Sequence, residues 1–423
     1  MELNISDIPP TICLNMIVKN ESHIIKNTLE KLCKKIHFSY WVICDTGSTD
    51  NTPQIITDFF NDKNIPGELH NNEWKNFAHN RNIALNEAFN KTDLLLVFDA
   101  DDEIHGNITM PKIVNSDGYL LNFGNSHGIS YERILLVNNK IRWEFKSVIH
   151  EYINCLKANP KISHLEGDYF IESGRTGSRN IDPEKYLKDA NILEEAYYEA
   201  KINNDNIYMR YGFYCANSYK DAGKTEEAIK WYKITLGNDN WSQEKYMCCL
   251  NLYNLYNSIE EKEKGLYYLV ESFNYDLERM ECVSLLIKEY CSRGFNKIAY
   301  NYYCMIKDFY ENKYLQTNNI NKLFIENDKP NFFLPYYMII VADKVKETFS
   351  EAKQTIIKMY QIIFTKKYPI TDDFYIGNLL YNLQFFIYFC CKTDNFINLA
   401  NEYLYFLHKN GVNLEKWEFL LNL

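Results

Sequence analysis

From residue 11 to about 100, short apolar runs rich in β-branched residues alternate with stretches of helical period. In order they are TICLNMIV (11–18), ESHIIKNTLEKLCKKI (21–36), YWVICD (40–45), NTPQIITDFFND (51–62), NFAHNRNIALNEAF (76–89) and DLLLVFDA (93–100). Strand and helix taking turns predicts βαβ units and a mostly parallel sheet. Such sheets bind ligands just past the carboxyl ends of their strands. The residues to inspect are therefore KNE (19–21), DTGSTD (45–50) and DADDE (99–103), all polar and two of them rich in carboxylates.

Strand-like GYLLNFG, ISYERILLV and DYFIESG between 118 and 174, separated by turn signals, would complete a first domain. Near 182 the pattern changes. DPEK offers Asp182 as an N-cap and Pro183 at the first helical position, and nearly everything after it has helical period. A chain of 423 residues exceeds what one core usually holds, and its 16 Gly and 10 Pro leave few turn formers. The expectation is an α/β domain over 1–181 and an all-α domain over 182–423. DAGKTEEAIKWY and SRGFNKIAYNYY each place a Gly five residues before an Ala (Gly223 and Ala228, Gly294 and Ala299), with Gly265 between them. A period near 34 suits tetratricopeptide-like helix pairs, and it fades beyond residue 310.

In LLLVFDADDE, a strand that has to be buried runs into Asp99, Asp101, Asp102 and Glu103. Like charges a few ångströms apart repel by roughly 1 to 4 kcal/mol per pair, so the cluster calls for a cation. An Asp-x-Asp pair leaving a strand suits magnesium or manganese, which keeps coordination sites for water and substrate phosphates. Three other motifs fail on the letters. An EF-hand starting at Asp99 would need Gly where Ile104 stands, HEYIN (150–154) lacks the second His of a zincin, and Ser218 replaces the first Gly of a Walker A loop at AGKT.

A formal charge of −10 with no basic run argues against a broad nucleic-acid surface. The twelve cysteines show no repeating spacing, and Cys248–Cys249 and Cys390–Cys391 sit in apolar helical stretches, which suits reduced, buried thiols. MELNISDIPP has neither the basic flank nor the apolar core of a secretory signal, and the most apolar runs, 332–342 and 385–391, are too short to span a bilayer. The chain reads as soluble and cytoplasmic, with the Asn, Lys, Ile and Tyr bias of an AT-rich genome, viral or microbial.

ICLNMIVKNE, VICDTGSTDNT, WKNFAHNRN, LLVFDADDE and VIHEYI, in this order, resemble the family 2 glycosyltransferases of GT-A fold, and specifically those with a tetratricopeptide-like domain after the catalytic one. The resemblance implies inverting transfer of a sugar from a nucleotide donor, UDP-linked by family habit, to a glycan or protein acceptor, with Mn2+ or Mg2+. It implies that Asp45 meets the nucleobase, that Val18 and Glu21 lie beside base and ribose, and that Arg81 stands near the nucleotide. Asp99 and Asp101, flanking Ala100, would contact the ribose and the metal-bound diphosphate. For the base that takes the acceptor's proton, Glu151 comes first and Asp102 second, with His150 orienting either. The stretch 164–180 supplies Arg175 and Arg179 for the diphosphate and His164 for the metal.

Each residue also has a plainer role: an Asx turn or cap for Asp45, a first-turn helix position for Glu21, a solvent-facing helical Arg for Arg81, a linker for 164–180. The helical domain could pair two copies of the chain. The alternative function is an interaction scaffold whose first domain is inactive. A nucleotidyltransferase would show a Gly-rich basic loop after the first strand, which VKNESH is not.

Overall fold

The computed structural model describes residues 9–124, 128–314, 322–345, 349–390, 394–415 and 417. The N-terminal MELNISDI and Cys391 lie outside them, as does the side chain of Cys390. The chain forms two compact units, Met1–Cys248 with Asn321–Phe324, and Cys249–Ile320 with Ile325–Leu423.

In the first unit the alternation becomes β1 (Ile12–Val18), α1 (Ile25–Lys35), β2 (Tyr40–Asp45), α2 (Thr52–Asp62), β3 (Gly67–Asn71), α3 (Phe77–Ala88) and β4 (Leu94–Val97). Further strands follow: β5 (Glu103–Ile108), β6 (Gly118–Gly124), β7 (Ile129–Asn138), β8 (Trp143–Lys146), β9 (Tyr152–Cys155), β10 (Ile162–His164) and β11 (Gly167–Glu172). The sheet runs β3-β2-β1-β4-β7-β6-β11-β5 with β10 beside β6, while β8 and β9 form a separate hairpin. β1 is parallel to β2 and β4, and β7 is antiparallel to β4 and β6, so the sheet is mixed with a parallel core. The strand order turns back between β1 and β4, and the crevice past their ends is where such a sheet takes a ligand.

The core explains the register. Leu14, Met16, Val42, Ile43, Leu94 and Leu96 are almost completely buried, as expected of parallel strands covered on both faces. Each such side chain contributes about 1.5–3 kcal/mol. Asn15 is the polar exception on β1, and its Nδ2 donates to Val42 O (3.2 Å) and Ala84 O (3.0 Å), fastening α3 to the sheet. α1 turns Ile25, Thr28, Leu29 and Leu32 inward, the spacing of one helical face. The Thr28 hydroxyl reaches Ala100 O at 2.6 Å and so pins the acidic loop after β4.

Helices take over at α4 (Lys185–Ile202), since Asp182 accepts from Glu184 N and makes a turn before the helix rather than its cap. The first unit nevertheless continues through α5 (Tyr208–Asp221), α6 (Thr225–Gly237) and the start of α7 (Ser242–Ser258). Here α4 packs on α5 and α5 on α6.

The second unit holds the rest of α7, then α8 (Lys262–Glu271), α9 (Glu281–Ser292), α10 (Asn296–Asn312), α11 (Leu334–Val345), α12 (Phe349–Lys366), α13 (Asp373–Cys390) and α14 (Asp394–Lys409). Gly223 and Gly294 both sit at helix ends with positive φ and open space around them. They are turn residues, while Ala228 and Ala299 five positions later are fully buried at helix contacts. Gly265 differs: a side chain there would meet Tyr253 O at 3.2 Å. Cys248 and Cys249 are buried, as expected of thiols in an apolar helix. Among the described residues no helix is long and apolar enough to cross a membrane.

Candidate active site

The strand ends of the first unit converge as the sequence pattern predicts, but with more internal pairing. Asp45 closes β2 almost fully buried, and its carboxylate accepts from Gly47 N (3.2 Å), Ser48 N (2.9 Å) and the Ser48 hydroxyl. It therefore builds the turn at 46–48. Asp50 makes a turn just before α2 by accepting from Thr52 N (3.0 Å) and its hydroxyl; burial opposes ionisation, but these bonds and one from Ser22 N hold its carboxyl down to about 2. Val18 lies opposite Asp45 in the ladder, and its carbonyl accepts from Thr46 N at 2.9 Å. Asn72, not singled out in the sequence, donates its N–H to Asp45 O, and its buried Oδ1 has no partner.

Arg81 is the hub. It is 5% exposed, on the inner face of α3, and lies over the Phe145 ring at 5.5 Å. Its Nη2 donates to Asp99 Oδ1 at 2.5 Å and its Nε to Glu151 Oε1 at 2.6 Å. Burial opposes both carboxylates, yet Arg81 and Arg133 hold Asp99 and Glu151 below the usual carboxylate range.

The other acids lack such a partner. Burial and the nearby Asp99 raise Asp101, whose Oδ2 accepts from Gly177 N at 3.1 Å. Asp102 is 5% exposed; burial first, then Asp99, push its carboxyl up to about 7. One oxygen accepts from Gly174 N at 3.2 Å, and the other is buried with no hydrogen-bond partner.

The loop 174–180 lies against these acids. Glu21, half-buried and raised by burial, accepts from Ser178 N, while His23 Nε2 lies 2.8 Å from Thr176 O. The approach is close: a side chain at Gly174 would come within 1.8 Å of Asp101 O. α1 starts at Ile25, so Glu21 is a loop tether rather than a first-turn residue. Arg179 pairs with Asp189 and lies over Phe77 at 4.8 Å, and Arg175 is exposed. Lys185 joins them, with burial, then Arg179, lowering its pKa.

His150 has φ 55°, stacks on Tyr214 at 4.3 Å, and keeps an exposed edge. The protein around it, with Arg210, Arg179 and Lys185, outweighs Glu151 and holds the imidazole down to about 4. Arg210 of α5 donates to His150 O at 2.9 Å. His164 is not brought to the cluster: its Nδ1 lies 2.7 Å from Glu132 Oε1. Glu132 and Arg133 are consecutive on β7 and face opposite sides of the sheet, and Arg133 is the one that acts on Asp99, Asp102 and Glu151.

The sequence reading thus missed Asn72, Arg133, Lys185, Arg210 and Tyr214. An inward Arg in the strand ISYERILLV carries a signal, being a cation among apolar neighbours; the helical ones look like ordinary solvated charges.

Among the described residues no three His, Cys, Asp or Glu side chains form a closed metal cage. The acids supply hard oxygen donors, one of them without a partner, so they fit a divalent ion whose shell a substrate completes.

Residues 13–150 match the model of glycosyl transferase family 2. No curated protein matches. Among solved structures, a UDP-GlcNAc complex of Staphylococcus aureus TarS 1–349 is 16% identical, with 75% of this chain and 99% of that one covered and a TM-score of 0.31. A mannosyltransferase from Pyrobaculum calidifontis with GDP-Man and Mn2+ is 10% identical over 72% and 88%, at 0.36. A tetratricopeptide repeat protein from Parabacteroides merdae is 14% identical over 56% and 98%, at 0.27. Likenesses this distant decide nothing about mechanism. The family model covers most of β1 through His150, the span that carries Arg81 and the acidic loop, so this part of the chain is similar to the family 2 glycosyltransferases.

Proposed function

We propose that this glycosyltransferase moves a sugar from a UDP-linked donor to a glycan or protein acceptor, with inversion and with Mn2+ or Mg2+ bound at Asp99 and Asp101. The observation that carries the reading is the set of four carboxylates, Asp99, Asp101, Asp102 and Glu151, facing the guanidiniums of Arg81 and Arg133 at the open end of β4. Such surplus negative charge is expensive unless a cation is bound there. The ion, once bound, would neutralise charge on the departing diphosphate.

The residues of the chain have separate tasks. Asp45, Val18 and Glu21 shape the pocket for base and ribose, and Arg81 holds Asp99 in place. Arg175, Arg179 and Lys185 offer positive charge to the diphosphate from the loop side. Glu151 takes the acceptor's proton: it is held by Arg81 Nε with its carboxyl below the usual range, which keeps it ionised at neutral pH. His150 positions it through the backbone that Arg210 grips. Asp102, buried under Gly174, is the second candidate for the base. We assign 1–181 as the catalytic domain and 182–423 as the helical, tetratricopeptide-like domain.

The test is a thermal-shift screen of nucleotide sugars with and without Mn2+, because a ligand that binds only the native state raises the melting temperature, by about 2.7 kcal/mol of stability at 100 times Kd. UDP-sugars should give a metal-dependent shift that Asp101→Ala abolishes. If no nucleotide sugar shifts the wild type and none is hydrolysed, the reading fails.

A further inference from the structure

Beside the catalytic loop, within the first unit, lies a cavity of about 710 Å³ that the donor chemistry leaves unused. Its walls are the β8–β9 hairpin, the amino end of α5 and the turn leading into α7. That volume is in the range of small-molecule sites. We propose that it is an acceptor subsite for a neutral oligosaccharide; this deepens the proposed function and rests on it.

Three observations carry the assignment. Trp241 and Tyr152 line the cavity and remain 50% and 38% exposed, so flat aromatic faces are available for the C–H faces of sugar rings. Asn240, 7% exposed, spends its amide hydrogens on Met209 O and Glu244 Oε2, both at 2.8 Å, while its Oδ1 has no donor. A buried acceptor in that state calls for a hydroxyl or a water. Finally, the charges disfavour an anionic ligand. The lining acids are Asp205, Asp239 and Glu244, and the two lining bases are already engaged. Lys146 pairs with Glu144 at 3.0 Å, and Arg210 donates to His150 O and lies over Tyr152 at 4.9 Å. A phosphate would find carboxylates and no uncommitted cation.

The wall also leads to the chemistry. Ser147 and Val148 line the cavity, and three residues on stands Glu151. Ser147 and His150, with φ 85° and 55°, are non-glycine residues held in the left-handed region. The Ser147 hydroxyl donates to Ile149 O at 2.5 Å and Arg210 holds His150 from outside. A loop so constrained keeps a fixed offset between a sugar in the cavity and the Glu151 carboxylate.

The experiment uses the full chain. Saturation-transfer NMR and tryptophan fluorescence are recorded with chitobiose, cellobiose, lactose and mannobiose, alone and with UDP and Mn2+. At least one disaccharide should bind. Trp241→Ala should weaken it at least tenfold, in binding and in acceptor KM, with little change in kcat at saturation; Trp241→Phe should restore most of the loss. Melting temperature and UDP affinity report that the variants are folded. The proposal is overturned if no disaccharide binds the wild type, if Trp241→Ala binds as tightly, or if only phosphorylated saccharides or peptides compete. Loss of donor binding with saccharide binding intact would count against the transferase reading and leave the cavity a saccharide site.

Discussion

Two buried arginines, one in each compact unit, do opposite things with the same chemistry. In the second unit Arg279 meets Glu281 through Nη2–Oε1 at 2.5 Å and Nε–Oε2 at 3.3 Å, both side chains fully buried. Arg279 grips the Glu281 carboxylate, and Glu326 N adds a donor to it at 3.4 Å. In the first unit Arg81 is divided between Asp99 and Glu151, with Asp101 and Asp102 left over and one Asp102 oxygen without a partner. The fully buried Arg279–Glu281 pair belongs to structure. The Arg81 cluster is the one we propose to hold a cation.

The strongest way to break the comparison is at Arg279. Removing one partner of a buried pair leaves an uncompensated charge, which costs about 3–5 kcal/mol. Arg279→Leu should lower the urea midpoint accordingly, while Arg279→Met with Glu281→Leu should recover most of it. At Arg81 the expected loss is in rate. Arg81→Met should cost about 10²–10³-fold in kcat, typical of losing one preorganised charge donor. The penalty in stability should be smaller than at Arg279, because the Asp99 side chain is 30% exposed and both carboxylates can take up protons. If Arg81→Met destabilises as much as Arg279→Leu while sparing kcat, Arg81 is structural and the contrast fails.

That contrast shows what the sequence could reveal. The sheet core was legible because β1, β2 and β4 are buried on both faces and read as apolar runs. β3 (GELHN) and β5 (EIHGNI) were not read, since half-exposed strands carrying Gly and His have no such run. The acidic loop was legible because four carboxylates in five residues are locally costly. Its partners were not, because they arrive from far along the chain: Arg133 on a strand, Lys185 and Arg210 on helices with no local mark of burial. Arg210 also explains why residues through Cys248 stay with the sheet in one unit. α5 grips the loop at His150, a contact of which the change to helical period near 182 gives no hint.

A smaller effect comes from Asp102. Its carboxyl lies near 7 in the folded protein and near 3.9 in an unfolded chain, so the folded state holds the proton to higher pH. Stability on this account falls as pH rises from about 4 to 7 and is flat above. Asp102→Asn should therefore gain about 1–3 kcal/mol over wild type at pH 8 and nothing at pH 4, read from paired urea melts. The same variant separates the two candidate bases. With Glu151 as base, the acid limb of kcat/KM lies below about 4.3, the ordinary glutamate value. A limb near 7 that vanishes in Asp102→Asn would transfer the role to Asp102.

The smallest expected effect tests whether the loop over the acidic cluster is fitted to it, as nothing at Arg279 needs to be. Gly177 has an ordinary φ of −60°, so alanine is acceptable to the backbone there. The added Cβ would lie 3.0 Å from Asp101 Oδ2 and 3.4 Å from Glu21 Oε1, a few tenths of an ångström too close to the first. The carboxylates can give, so stability should change by less than about 0.5 kcal/mol, as at an ordinary surface position. Asp101, however, is the proposed metal contact, and displacing it should raise the apparent Kd for Mn2+ in the presence of UDP a few-fold. Gly174→Ala is the steep counterpart, because there the clash at 1.8 Å is with backbone and the loop must move. Were Gly177→Ala to leave Mn2+ affinity unchanged and Gly174→Ala to behave like wild type, the loop would be a passive linker and Asp101 would gain nothing from its cover.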